Sequence, residues 1–256
     1  MIPSAAMPTT ALVAGATGYT GREVVRLLRA RKVHVVAHVR PDSSRLDQWR
    51  RKWEPLGVTM DTTPWEADAI TSMIKERAPD VVFGLLGTTR ARANREAKQG
   101  VPKDANSYER VDYGMTKMLI DGMVAADSAG RFVYLSALGV KTAGQGGKEP
   151  ANPYMSVRYR IESELEAGPL AWTAIRPAII SGPDRDEHRL GEEMGKVVGD
   201  ALLGFLGALG AKDTKARYAL ITATDLAAGM IHHALAPSSA HKVVTTDALR
   251  GYSPRA

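Results

Sequence analysis

Three glycines, Gly15, Gly18 and Gly21, stand three apart in "VAGATGYTGREVV", between an apolar run and an amphipathic stretch. A chain that turns tightly at glycine brings bare backbone N–H groups close to whatever lies above it. The first glycine makes the turn, the second admits a pyrophosphate to the backbone, and the third lets the following helix pack on the strand. The free N–H groups at the helix start and its macrodipole favour an anion there. The glycines sit between a strand and a helix with a second strand following, so the segment predicts a dinucleotide site, with Thr17, Tyr19 and Thr20 in the turn. The second strand ends "AHVRPDSSR", which puts Arg40 where NAD-specific sites carry an acid for the ribose 2′-hydroxyl. A guanidinium there suits a 2′-phosphate through a bidentate contact. Ser43, Ser44 and Arg45 add further donors, so NADP(H) is favoured, while Asp42 leaves NAD(H) open.

The elements that must position this site alternate in type along the chain. Short β-branched runs at 11–16 and 33–39 flank a stretch with Val24, Val25 and Leu28 on one side and Arg22, Arg26 and Arg29 on the other. A helix over 43–57 closes at Pro55 and Gly57, a short strand follows at 58–60, and a helix over 65–78 ends at Pro79. Then come a strand at 80–87, a helix around 108–129 stopped by Gly130, a strand at 131–139, a helix near 153–167 and a strand at 171–180. Segment 216–236 reads as a strand and then a helix with Thr224 as N-cap, and 241–246 as a last strand. Strands separated by helices mean right-handed crossovers and a parallel sheet covered on both faces. The expectation is a doubly wound, parallel-sheet α/β Rossmann fold. It forms a single domain over 1–256, interrupted by a Gly-rich loop at 141–152 and an insertion at about 184–215.

Composition narrows the class. With 256 residues, 44% of them hydrophobic, the chain can bury a substantial core. The absence of cysteine excludes disulfides, thiolate nucleophiles and Cys-ligated metals, in agreement with a cytoplasmic protein. The N-terminal "MIPSAAMPTT" has no charged n-region leading into an apolar h-region, and "VVGDALLGFLGALG" (197–210) is too short to span a bilayer and contains Asp200. A net charge of +6 with only 6% aromatic residues gives no concentrated basic and aromatic stripe for nucleic acid. The adjacent His232 and His233 point in different directions along a helix and suggest no metal site. "DRDEH" (184–188) and the arginines Arg90, Arg92 and Arg95 read as solvated loops.

In these residues the chain resembles the short-chain dehydrogenase/reductase superfamily. Within it the atypical, NmrA-like branch is closest, and the Tat-interacting-protein oxidoreductase-like group most of all. The resemblance is carried by "GATGYTGREVVRLL", "LLGTTRARA" (85–93), "VDYGMTKMLID" (111–121), "FVYLSALG", "YMSVRYRIESEL" (154–165), "TAIRPAII" and "TATDLAAGMI". It implies a doubly wound sheet with a small C-terminal region covering the substrate, and it implies that Leu86, Gly87 and Thr88 line the adenine–ribose side of the cofactor. Ser136 and Ala137 would then face the nicotinamide, with Pro177, Ala178 and Ile179 beside its carboxamide. Tyr154 and position 158 match the Tyr-x-x-x-Lys pair of the superfamily, one turn apart on a helix.

The implied activity is NADPH-dependent reduction of a small carbonyl or related compound, with Ser136 holding the carbonyl and Tyr154 giving it a proton. A phenol needs a nearby cation to serve as an acid near neutral pH. The cation here is Arg158, which keeps the positive field but cannot be deprotonated and is a flat fork rather than a compact ammonium. The substrate is unspecified; Tyr154, the segment after Ile179 and a helix near 194–209 would shape a partly hydrophobic pocket. The competing class is a non-catalytic regulator that senses NADP(H) and passes its state to a protein partner, which Arg158 and the long loop before Tyr154 favour.

Overall fold

The computed structural model of the chain describes residues 10–88, 98, 100, 102–181 and 220–252. β1 (Thr10–Ala14) is the aliphatic run that opens the sheet, and the glycine turn passes it directly into α1 (Tyr19–Ala30). α1 buries Val24, Val25, Leu27 and Leu28 while Arg26 stays exposed, which is the amphipathic division its sequence implies. β2 (His34–His38) and α2 (Leu46–Trp53) follow. α2 passes into a 3₁₀ turn, Glu54–Leu56, since Pro55 has no N–H to continue an α-helical ladder. β3 (Thr59–Asp61), α3 (Ala67–Arg77) and β4 (Val81–Gly84) complete the first half.

The second half holds α4 (Thr116–Ala125), β5 (Arg131–Leu135), α5 (Pro153–Ala167) and β6 (Trp172–Arg176). The short pair β7 (Ile180–Ser181) and β8 (Ile221–Thr222), α6 (Ala223–Leu235) and β9 (Lys242–Thr245) follow. Seven strands form one parallel sheet in the order β3-β2-β1-β4-β5-β6-β9, and β7 and β8 pair separately. Alternation along the strands feeds two cores. Ala11 and Val13 of β1 join α1 and α6 on one face, while Leu12 and Ala14 join α3, α4 and α5 on the other. This is the doubly wound fold that the alternating segments imply. The strand order reverses between β1 and β4, so the chain leaves these neighbours in opposite directions and opens a crevice at their C-terminal ends.

The strands expected over 80–87 and 131–139 end at Gly84 and Leu135, and the helix expected over 43–57 is α-helical over Leu46–Trp53 alone; three further segments differ in kind. The helix expected over 108–129 begins as a π-helical stretch, Tyr108–Met115, capped by the Ser107 hydroxyl, and becomes α-helical only at Thr116. The wider turn carries Asp112 inward, where it is 1% exposed. The strand expected over 171–180 stops at Arg176, because Pro177 cannot donate to a ladder, and resumes as β7. The N-cap of α6 is Thr222, whose hydroxyl accepts from the Asp225 N–H, whereas Thr224 lies inside the helix and donates to Glu23 of α1. No helix among the described residues is long and apolar enough to cross a membrane.

Candidate functional site

The glycine turn is held open by sterics. Gly15 has φ +84°, and a Cβ there would lie 2.4 Å from the Leu85 carbonyl oxygen at the end of β4. A Cβ on Gly21 would lie 2.2 Å from the Gly15 carbonyl oxygen. Side chains at either position would fill the turn or push α1 off the strand. The Gly18 N–H donates to the Gly15 carbonyl at 3.0 Å and closes the turn. Gly18 is also the N-cap of α1, and it supplies no side chain to the free N–H groups of the first turn. No acidic residue stands in that turn, so the positive end of the helix is open to an anion. Gly18 is exposed, Thr17 and Tyr19 are half-buried, and Thr20 packs beneath them. The Tyr19 hydroxyl donates to the Ser181 carbonyl at 3.2 Å, tying the turn to β7 across the crevice.

Arg40 lies just past the end of β2, half-buried, with its Nε 3.7 Å from a carboxylate oxygen of Asp42. That pair is loose and exposed, so both side chains remain able to meet a ligand. Behind them, His38 is buried, its Nε2 lies 2.8 Å from the Thr63 carbonyl, and its ring meets Trp65 edge-on at 4.6 Å. Burial holds the His38 pKa below the usual imidazole range, so this ring is neutral and structural.

The other end of the crevice is built by one face of α5. Pro153 opens the helix, and the Asn152 side chain accepts from the Tyr154 and Met155 N–H groups at 3.0 and 3.3 Å. Tyr154, Arg158 and Glu162 then follow at four-residue steps. Tyr154 is half-buried, and the Tyr108 ring packs edge-on against it at 5.7 Å. The Arg158 guanidinium lies over the face of the Tyr154 ring, 3.6 Å from its centroid. Its Nη1 donates to the Tyr154 carbonyl at 3.1 Å and its Nη2 to Asp112 at 3.2 Å. The second Asp112 oxygen accepts from the Thr88 N–H at 2.8 Å. The loop after β4 is thereby joined through Asp112 and Arg158 to Tyr154. Burial pushes the Asp112 carboxyl from the ordinary 3.8 up to about 6, against the lowering by Arg158 and the Thr88 N–H. Two buried atoms of this chain, Thr88 Oγ1 and Arg158 Nε, have no hydrogen-bond partner among the described residues.

One turn further along α5, Glu162 forms a second buried pair. Arg176, at the end of β6, donates to it from Nε at 3.0 and 3.1 Å and from Nη2 at 2.5 Å. The Ser136 hydroxyl donates to Glu162 Oε1. The fully buried Tyr134 hydroxyl lies within the electrostatic reach of Arg158, Asp112 and Glu162, and burial raises its pKa well above the ordinary phenol value.

The structure thus places Gly15, Thr17, Gly18, Tyr19, Thr20 and Gly21 at one end of the crevice, with Arg40 at the end of β2. Leu86, Gly87 and Thr88 follow β4, and Ser136 and Ala137 follow β5. Pro177 is buried after β6; Ala178 and Ile179 are half-buried beside it, and the Ala178 N–H donates to Thr246 at 2.8 Å. All of these stand at the C-terminal side of the sheet. Sequence reasoning missed Asp112, Glu162 and Arg176. The signal available was an arginine closing the apolar strand "WTAIR", since a charge buried in a sheet requires a partner. His232 stacks on Tyr252 at 3.9 Å, and His233 bonds Ser239 and Ala248 at 2.8 and 3.0 Å. Arg90, Arg92, Arg95, the "DRDEH" segment, the helix expected near 194–209 and the insertion at 184–215 lie outside the described residues.

Comparison with solved structures supports the architecture. The enzyme WbmH of Bordetella bronchiseptica in complex with NAD+ superposes with a TM-score of 0.64 at 18% identity, covering 93% of this chain and 75% of that one. A Thermus thermophilus UDP-glucose 4-epimerase complex with NAD gives 0.60 at 19% identity, covering 94% and 80%. A Burkholderia thailandensis oxidoreductase of the short-chain dehydrogenase/reductase family gives 0.60 at 14% identity, covering 94% and 92%. At these identities the likeness is one of fold. No curated protein matches the sequence. The family model described as NAD(P)H-binding matches residues 15–202, beginning at the glycine that makes the turn. The chain belongs to the NAD(P)H-binding family.

Proposed function

We propose that the chain binds NADP(H) and reduces a small carbonyl or related compound, as an atypical, NmrA-like short-chain reductase. The cofactor fits the turn, because Gly15 and Gly21 leave no room for a Cβ and Gly18 leaves the α1 N–H groups uncapped. In this reading the turn from Gly15 to Gly21 holds the pyrophosphate and Arg40 takes the 2′-phosphate. Leu86, Gly87 and Thr88 line the adenine–ribose side; Ser136, Ala137, Pro177, Ala178 and Ile179 line the nicotinamide. When bound, the cofactor supplies the hydride. Tyr154 gives the carbonyl oxygen its proton as the carbon takes that hydride, and recovers a proton from water. The observation that carries the catalytic part is the fixing of Tyr154, half-buried under the Arg158 cation at 3.6 Å, on the helix that also reaches Ser136 through Glu162. Arg158 holds the ring rather than relaying a proton.

Titration with NADPH and NADH, followed by a screen of aldehydes, ketones and quinones, tests both parts. NADPH should bind more tightly, and Arg40→Ala should weaken NADPH by roughly 10- to 100-fold, the value of a charge-assisted contact, without weakening NADH. Tyr154→Phe should still bind NADPH and abolish its oxidation. Equal affinity for the two cofactors removes the 2′-phosphate reading, and turnover that survives Tyr154→Phe removes the acid. One observation favours the second reading, a non-catalytic NADP(H)-sensing module. The Ser136 hydroxyl, expected to hold a carbonyl, donates to Glu162 instead. NADPH binding with no turnover across the screen would decide for that module.

A further inference from the structure

Ser136 and Glu162 set the direction of a hydrogen bond. Glu162 has a side chain 0% exposed, and its oxygens accept from Arg176 Nε and Nη2. A carboxylate engaged by a guanidinium offers only acceptor sites, so in the bond between Ser136 Oγ and Glu162 the serine is the donor. Its one hydroxyl proton therefore points into the protein. The Ser136 N–H is spent as well, on the Ile175 carbonyl at 2.8 Å. What remains at Ser136 Oγ is its capacity to accept, and among the described residues nothing else donates to it. A serine in this state cannot donate to a bare substrate carbonyl without breaking its bond to a buried charge.

We propose that Glu162 is a positioning residue that fixes Ser136 as an acceptor, so that the preferred substrate is a carbonyl compound bearing a hydroxyl or N–H on the neighbouring carbon. The inference rests on the reductase reading above. Tyr154 donates to the carbonyl oxygen and Ser136 accepts from the adjacent donor, giving two contacts of opposite sense from two neighbouring elements. The reaction balances without further reactants. The carbonyl carbon gains the hydride, its oxygen gains the Tyr154 proton, and the neighbouring hydroxyl or N–H is unchanged.

The test pairs hydroxyacetone with methoxyacetone, in which a methyl group replaces the donor hydrogen, and measures NADPH oxidation by the full chain and its variants. The change of the ratio on substitution separates the donor from the added bulk. Wild type should favour hydroxyacetone in kcat/KM by roughly tenfold or more, as expected when a buried polar group loses its partner. In Glu162→Gln the amide oxygen still accepts from Arg176, but the amide N–H donates to Ser136 and turns the serine proton out toward the substrate. The preference should then fall to about one or invert. Ser136→Ala keeps the Glu162–Arg176 pair and should also erase the preference. A merely structural role for Glu162 lowers both substrates alike and leaves their ratio in place. Equal kcat/KM for the pair in wild type, or a ratio unchanged in Glu162→Gln, overturns the inference alone. Failure to reduce any carbonyl, with NADPH still bound, overturns the reductase reading and this inference together.

Discussion

Replacing Asp112 by Asn should stabilise the protein above pH 6, although it removes half of a buried ion pair. Asp112 is 1% exposed, and burial outweighs Arg158 and the Thr88 N–H, leaving its pKa at about 6 against an ordinary 3.8. A carboxyl whose folded pKa is raised contributes stability that is fully present below the unfolded value and is lost as pH rises through the folded one. The ionised form therefore costs about 3 kcal/mol at pH 8 relative to the neutral acid. Asn reproduces the neutral acid but has one acceptor oxygen for two donors, so either Arg158 or Thr88 loses its bond, at about 1 kcal/mol. The net expectation is a gain of about 2 kcal/mol at pH 8 that vanishes at about pH 4.5 and turns into a loss of up to about 1 kcal/mol at lower pH. Urea unfolding of the two proteins at pH 4.5, 6 and 8 measures this directly, and the difference should grow with pH. Removing one partner of a buried pair commonly costs about 3–5 kcal/mol, because the other charge is stranded. Loss on that scale at pH 8 would falsify the argument, since it would mean that Arg158 more than repays the desolvation of Asp112.

Gly21→Ala places a methyl carbon against backbone that cannot move aside, so it should lose about 2–4 kcal/mol of stability and its NAD(P)H binding, read by denaturation and titration. Arg176→Met leaves Glu162 buried without its cation and should cost about 3–5 kcal/mol at neutral pH; an unchanged melting curve would show that the pair contributes nothing. On the proposed reductase reading, Arg158→Lys should not raise turnover. An ammonium cannot cover the Tyr154 ring and reach Asp112 with the same planar fork, so faster reduction in that variant would show that the fork is dispensable.

The parts of the molecule legible in the sequence are those enforced by local sterics. Gly15 must take a positive φ and Gly21 must lack a Cβ, so their spacing survives translation into structure unchanged. α5 runs over 153–167 as expected, because Asn152 and Pro153 mark its start by local chemistry. Thr222 and Thr224 offer the same hydroxyl two residues apart, and only the turn of the backbone decides which one caps α6. The charged centre of the site was hidden for a different reason. Asp112 and Arg158 are 46 residues apart, and each looks like a solvated position within its own segment. Local periodicity reports which face of a helix is polar, not whether that polarity meets water or an opposite charge across the fold.

That distinction changes how the arginine at position 158 is understood. Compared with the lysine of the pattern that the sequence resembles, Arg158 reads as a weaker proton relay. Inside the fold its work is geometric. One terminal nitrogen caps the Tyr154 carbonyl, the other meets Asp112, and the plane of the guanidinium supports the phenol ring. Asp112 in turn fixes the Thr88 N–H, on the loop that follows the strand next to the glycine turn. Holding ring, carbonyl and carboxylate from one residue requires a planar cation with several donors, which lysine lacks. The same helix face holds Ser136 through Glu162 and Arg176, with no atom shared between the two buried pairs. Tyr154 and Ser136 are therefore oriented by separate devices, so a change at Arg158 should act on the tyrosine and the loop after β4 while the direction of the serine hydrogen bond stays as Glu162 sets it.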